Sequence, residues 1–402
     1  MQILQIKNPK EIKQIMLGIG VDPYGIKIML PKAVSYLLRL NSVSNITANI
    51  LKQEMLSLGA DVAVSRNALT GKTKKTDCLL MGNLSQMFRL KHKLNKQPFG
   101  LAKISHDLTD VLKNYQLEKF NFIVPGFNIN LGSRAHIVGI VNITPDSFSG
   151  DGLYKKPLAF SLQLSYILKY VEKLIKDGAD ILDIGGESSR PGAKPISLRE
   201  EVNRVIPVIK AIRKRFHVPI SIDTYKEGVA KQALDNGACI VNDISGLRDK
   251  KMINLIAQYN AGVVIMHMRG MPFDMQKNTQ YGSLIDEVIL YLNNMLDNAQ
   301  AAGIKSNKII IDPGIGFGKT AKHNLEILNR LREFKVLGKA IMVGPSRKSF
   351  ICKVLKRKAQ ETVFGTVSAC VLALKNGANL VRVHDVKEVK QALKIFDAVN
   401  KS

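Results

Sequence analysis

The sequence predicts a TIM (β/α)8 barrel preceded by a small α/β domain, and three observations carry that prediction. From His136 onward, short runs of aliphatic and β-branched residues alternate with amphipathic stretches of helical length. The runs are apolar throughout instead of alternating with polar residues, which is how parallel strands covered by helices read. There are eight of them in the last 267 residues, which is the size of such a barrel. A doubly wound open sheet is the alternative, but eight consecutive repeats favour closure.

In chain order the strands are "HIVGIVN" (136–142), "ADILDIG" (179–185), "VPISID" (218–223), "ACIVND" (238–243), "AGVVIMH" (261–267), "KIIIDPG" (308–314), "AIMVGPS" (340–346) and "NLVRVHD" (379–385). Between them, stretches such as "LQLSYILKYVEKLIKDG" and "LIDEVILYLNNMLDNAQAAG" repeat apolar residues at helical spacing, and "VKEVKQALKIFDAV" closes the chain. Polar residues gather where the strands end: Asn142, Asp183, Asp223, Asn242 and Asp243, His267, Asp312, Ser346 and Arg347, then Arg382, His384 and Asp385. Strand ends of a barrel converge on one mouth, where such enzymes keep their sites.

Residues 1–130 are expected to form the small domain, of unclear role, and 131–402 the barrel. In the first part, "SNITANILKQEMLSLG", "NLSQMFRLKHKLNKQ" and "SHDLTDVLKNY" are expected helices, and "ADVAVS" and "DCLLMG" strands. "NFIVPGFNINLGSR" (121–134) is expected to be a strand or hairpin leading into the barrel.

Composition excludes several classes. No stretch approaches the roughly 18 uninterrupted apolar residues of a membrane span, and the amino terminus lacks a secretory pattern, so a cytoplasmic protein is expected. Cys78, Cys239, Cys352 and Cys370 show no zinc or disulfide spacing. The net charge of +26 is spread along the chain, about +11 before residue 135 and about +15 after it, and there is no Trp. That argues for solvated lysine-rich faces over a nucleic-acid surface, with an anionic substrate as a second possibility. No nucleic-acid or membrane partner is expected.

The motifs narrow the chemistry. "DPGIGFGKT" (312–320) has three residues between Gly314 and the Gly318 and Lys319 pair, where a Walker loop needs four. What remains is a glycine-rich loop able to approach a flat ligand, with Phe317 to cover it. Asp223, Asn242 and Asp312 suit a ring with adjacent N–H donors, or each caps its following helix. "GGESSRPG" supplies Ser189 and Arg190, and "RVHD" puts Arg382 and His384 on one face of the last strand. These form an anion site, or Arg382 pairs with a buried acid and Arg190 is a surface charge. Lys348 in "GPSRKSF" is a substrate contact or one of many exposed lysines. His267 and His384 have no nucleophile or zinc partner at the usual spacing.

Taken together, "NITPDSFSGDG", "DIGGESSRPGA", "SIDT", "VNDISG", "DPGIGFGK", "GPSRKSF" and "RVHDV" resemble dihydropteroate synthase over about two thirds of the chain. The resemblance implies condensation of 6-hydroxymethyl-7,8-dihydropterin diphosphate with 4-aminobenzoate, giving 7,8-dihydropteroate and pyrophosphate. It implies that Asp223, Asn242, Asp312, Lys348 and Arg382 hold the pterin, and that Asn142, Ser189, Arg190, Arg382 and His384 hold the diphosphate. Mg²⁺ would sit on Asn142. Phe148, Pro191, Phe317, Lys348 and Ser349 would line the 4-aminobenzoate pocket, where sulfonamides compete. Arg190, Lys348, Arg382 and His384 are the implied catalytic groups, a homodimer the implied assembly, and the amino-terminal domain makes this a long form. A neutral arylamine needs no strong base, so substitution with dissociative character is expected. The alternatives are a methyltetrahydrofolate:corrinoid methyltransferase-like enzyme, which has no diphosphate to bind, and a non-catalytic pterin-binding protein. Whether Asp146 touches ligand is left open.

Overall fold

The structure, a computed structural model, describes residues 1–4, 6, 8–144, 160–190 and 192–401. Its compact units are Met1–Lys113 and Asn114–Ser402.

The first unit is a three-stranded antiparallel sheet, β1 (Ser35–Ser44), β2 (Asp61–Val64) and β3 (Lys75–Asn83), in the order β1-β3-β2. The helices Asn45–Ser57, Leu84–Leu94 and Leu101–Tyr115 form where the amphipathic stretches predict them. Leu51, Met55, Leu80, Met87, Leu90 and Leu101 make its core. β1 and the helices Pro9–Gly18 and Pro23–Met29 were not expected. The run "YLLRL" in β1 is rich in good helix formers, and its pairing along β3 overrides that preference.

In the second unit all eight expected strands are present: β6 (His136–Asn142), β7 (Ile181–Gly185), β8 (Ile220–Asp223), β9 (Ile240–Asp243), β10 (Gly262–Met266), β11 (Ile309–Asp312), β12 (Ala340–Val343) and β13 (Leu380–Val383). They pair in parallel, and β13 closes onto β6 through Leu380 opposite His136 and Arg382 opposite Val138. Helices follow the strands and bury aliphatic faces against the barrel wall, with Val171, Ile209, Ala233, Ile256, Leu292 and Val389 fully covered.

Before the barrel, β4 (Phe120–Val124) and β5 (Phe127–Leu131) form the hairpin expected from 121–134. It falls with the barrel strands in the unit Asn114–Ser402. The reason is packing: Phe122, Val124 and Leu131 join Val138, Ile181, Ile240, Val264, Ile310 and Leu380 in one cluster. A Cβ on Gly262 would lie 2.7 Å from Phe122 Cζ, which shows how closely the hairpin is seated. No helix among the described residues is long and apolar enough to cross a membrane.

Candidate active site

A two-residue step up each strand turns the apolar barrel floor into a polar mouth, because residues two apart share a face. Ile181, Ile240, Ile310 and Leu380 belong to the floor cluster. Asp183, Asn242, Asp312 and Arg382 are the next inward positions on the same strands. Asp223 and Asn242 are direct neighbours across β8 and β9.

The centre is a buried charge cluster. Arg382 donates from Nε to Asp183 Oδ2 at 2.6 Å and from Nη2 to Asp223 Oδ2 at 2.6 Å. Asn242 Nδ2 donates to the same Asp183 oxygen at 3.0 Å. Of the two expectations for Arg382, the buried-acid pairing is therefore present, and with two acids. The Asn242 contact fixes its amide, so that Oδ1 is the acceptor turned to other partners. Asp312 Oδ1 accepts from Gly314 N at 2.7 Å, which leaves Oδ2 as its second acceptor. Asp223 likewise has Oδ1 beside its Arg382-bound oxygen.

Asn142 ends β6 half-buried at the same mouth. A Cβ at Gly185 would lie 3.5 Å from Asn142 Oδ1 and 3.7 Å from Asp223 Oδ2, so the missing side chain leaves both oxygens bordering one gap. Ser189 and Arg190 are half-buried in the loop after β7, with Arg190 N donating to Ser188 Oγ at 3.4 Å. His384 follows β13, and its N–H donates to Ser346 Oγ at 3.3 Å. That oxygen lies 3.1 Å from His384 Nδ1. The His384 backbone N–H and its ring thus both meet one hydroxyl, which fixes the orientation of the ring. Phe148, Pro191 and Asp146 lie outside the described residues.

The glycine-rich loop after β11 closes the other side. Lys319, buried, donates from Nζ to the carbonyls of Gly314 at 3.0 Å, Phe317 at 3.1 Å and His267 at 3.3 Å, and lies 2.9 Å from His267 Nδ1. Gly314 has φ +72°, and a Cβ there would be 1.9 Å from His267 O, so only glycine fits. The loop presents Phe317, whose ring centroid is 4.0 Å from Lys348 Nζ. Lys348 stands at the N-cap position of the helix Ser349–Leu355 without a side-chain capping bond, which puts Ser349 at the first helical position.

Burial dominates the electrostatics. It pushes the Asp223 carboxyl up to about 7, against Arg382 and with help from Asp183. Asp312 rises to about 6 by burial, opposed by the Gly314 N–H and Lys348. Lys348 falls to about 8 through burial and the adjacent Arg382, and Lys319 to about 7 through burial. His384 is held well below its ordinary value by burial, with Arg347 and Arg382 acting in the same sense, so it is neutral. The mouth thus offers carbonyl-like acceptors low in the barrel and N–H donors at its rim.

Two site residues were given no role from sequence. Asp183 stands in the sequence only as one strand-end acid among several; its place two residues before Gly185 is the available signal. The failed Walker spacing hides Lys319, although a lysine after a glycine-rich turn is itself a signal for a loop clamp. Among the described residues no group of three His, Cys, Asp or Glu side chains could cage a metal.

A family profile described as "Pterin binding enzyme" matches residues 138–384. The dihydropteroate synthase of Synechocystis sp. is 44% identical over 270 residues, 67% of this chain and 91% of that protein. A probable bifunctional folylpolyglutamate synthase/dihydropteroate synthase of Halobacterium salinarum is 38% identical over 379 residues, 94% of this chain and 44% of that one. The solved dihydropteroate synthase of Xanthomonas albilineans with 4-aminobenzoic acid superposes with a TM-score of 0.64 at 36% identity, covering 71% of this chain and 99% of that one.

Proposed function

The chain belongs to the dihydropteroate synthase family of pterin binding enzymes and carries that family's function in folate biosynthesis, and we propose how its barrel mouth performs it. The observation that carries the proposal is the set of acceptors Asp223 Oδ1, Asn242 Oδ1 and Asp312 Oδ2, oriented by Arg382, Asp183 and the Gly314 N–H. Three fixed acceptors in a desolvated pocket match the adjacent N–H donors of an aminopyrimidinone ring.

The diphosphate of 6-hydroxymethyl-7,8-dihydropterin diphosphate would lie above the ring. Ser189, Arg190, the remaining Nη1 of Arg382 and the ring of His384 would donate to it. Because His384 is neutral, it acts as an oriented hydrogen-bond donor and not as a cation. The 4-aminobenzoate would lie along Phe317, with Lys348 and Ser349 near its carboxylate. The Xanthomonas albilineans relative has been solved with 4-aminobenzoic acid, which supports that substrate class.

The donor set fits Mg²⁺ that arrives with the substrate: one amide oxygen, Asn142 Oδ1, borders the mouth, and among the described residues no carboxylate cage surrounds it. Mg²⁺ typically keeps several waters and binds through substrate phosphates; when bound it neutralises the leaving diphosphate. The chain's own part is to hold the ring, keep water from the methylene carbon and aim the arylamine. That amine is neutral near pH 7 and attacks as the C–O bond to diphosphate breaks, with dissociative character. A homodimer, carried over from the family resemblance, and a cytoplasmic location complete the reading.

The test is pyrophosphate release from the pterin diphosphate with Mg²⁺, with and without 4-aminobenzoate, and chromatographic detection of 7,8-dihydropteroate. Absence of that product with intact substrates would overturn the assignment.

A further inference from the structure

We infer that Glu187, held by Tyr225 and Lys226, is a positioning residue that sets the loop bearing Ser189 and Arg190 against the pterin pocket; the inference rests on the reaction proposed above. The Glu187 side chain is 10% exposed, and its carboxylate is used up by neighbours. Oε1 accepts from Tyr225 OH at 2.7 Å, and Oε2 accepts from Ile196 N at 3.0 Å and from Lys226 Nζ at 2.5 Å. Lys226 Nζ also donates to Ile196 O at 2.8 Å and to Glu201 Oε2 at 2.6 Å. The loop leaves the barrel at Glu187 and rejoins its helix just after Ile196. One carboxylate and one ammonium therefore fasten both ends of it.

Both partners come from the chain that ends in the pterin acid. Tyr225 and Lys226 follow Asp223 after a single intervening residue, Thr224. The first part of the loop is also held from the helix side, where Arg204 Nη1 donates to Gly186 O at 2.8 Å. A Cβ on Gly186 would lie 2.7 Å from Val205 Cγ1, so the loop cannot shift toward that helix. The Tyr225 ring meanwhile packs against the cluster of Ile244, Met266, Met268, Met275 and Phe317. One tyrosine thus touches the wall assigned to the arylamine and the strut under the anion loop.

A purely structural role does not account for the chemistry chosen. Buried ion pairs add little net stability over apolar side chains of similar size, because desolvation offsets the attraction. What they add is direction, and here the direction relates two substrate sites. Burial, with Glu187 next to it, keeps the Tyr225 phenol protonated and hence a donor across the working range.

Tyr225→Phe and Glu187→Gln test this, singly and together, each with both substrates varied. Tyr225→Phe removes one hydrogen bond and keeps the packing. Glu187→Gln keeps the size and removes the charge that Lys226 meets. Each single variant is expected to lower kcat/KM for 4-aminobenzoate by about tenfold, the scale of a small misplacement of reacting groups. Affinity for 6-hydroxymethylpterin, which lacks the diphosphate, should stay within about twofold, and the double variant should lose little beyond the worse single one, as expected for residues acting through one contact. Single variants within about twofold of wild type, additive losses, or equal weakening of both ligands would overturn the inference while leaving the reaction standing. A wild-type chain that makes no dihydropteroate would overturn both.

Discussion

Arg382 and Asp183 are joined at 2.6 Å inside the barrel, and the same guanidinium reaches Asp223 at 2.6 Å. The arginine expected to bind anion is therefore also the counter-ion of two barrel acids, one of them proposed to hold the pterin. Arg382→Met should cost about 3–5 kcal/mol of stability, because it leaves two buried carboxylates without their cation. Asp183→Asn in that background should restore part of the loss, a non-additivity that chemical denaturation of the four chains would read. If the two effects simply add, the pair is not coupled. Arg190→Ala, by contrast, should remain as stable as wild type and lose most turnover.

The pocket acids make ligand binding and folding respond oppositely to pH. Asp223 and Asp312 have ordinary values near 3.8 and folded values of about 7 and about 6. Their contribution to stability is fully present below about pH 4 and is lost as the pH rises through 6 and then 7. A ring that donates N–H bonds needs both carboxyls ionised, so pterin affinity should rise over that same range, by up to about tenfold per pH unit for each carboxyl. Calorimetry in two buffers of different ionisation enthalpy should detect proton release on binding near pH 6. Proton uptake, or no linkage, would exclude the carboxylates as the acceptors.

Much of this was legible from residues alone, and the exceptions have physical causes. Most strand tips carry a polar residue directly after an apolar one, so the barrel and the mouth positions Asn142, Asp223, Asn242, Asp312, Arg382 and His384 follow from patterning. Pairing among those tips does not follow, because it depends on which strands close the circle. Asp183 lies opposite Ile140 on one side and Ser221 on the other, while Arg382 comes from the last strand, far along the chain. Glu187 meeting Tyr225 and Lys226 is invisible for the same reason. β1 went unread because its leucines favour helix, and only the partner strand decides otherwise.

Lys319 should behave as a loop clamp. Lys319→Met leaves the Gly314, Phe317 and His267 carbonyls without their donor in a buried site. An unsatisfied buried group costs about 1–3 kcal/mol, so a loss of about 3 kcal/mol is expected. Phe317 then loses its fixed position, and the KM for 4-aminobenzoate should rise more than that for the pterin diphosphate. A stable variant with unchanged KM values would show that the loop holds itself.

The hairpin decides where the catalytic unit begins. A chain starting at Asn114 retains all the site residues together with Phe122, Val124 and Leu131, which fill the barrel floor. It should fold and turn over at rates near those of the full chain. A chain starting at Gly132 has the same site residues but uncovers Val138, Ile181 and Leu380 and removes the Ile123 carbonyl that accepts from the buried Lys308 at 2.8 Å. Burial of three side chains of this size is worth about 1.5–3 kcal/mol each, and a small domain's whole stability is only about 5–15 kcal/mol. The shorter chain should therefore be insoluble or melt far below the longer one. Equal melting temperatures for the two would mean that the hairpin is dispensable and that the barrel floor is sealed from within.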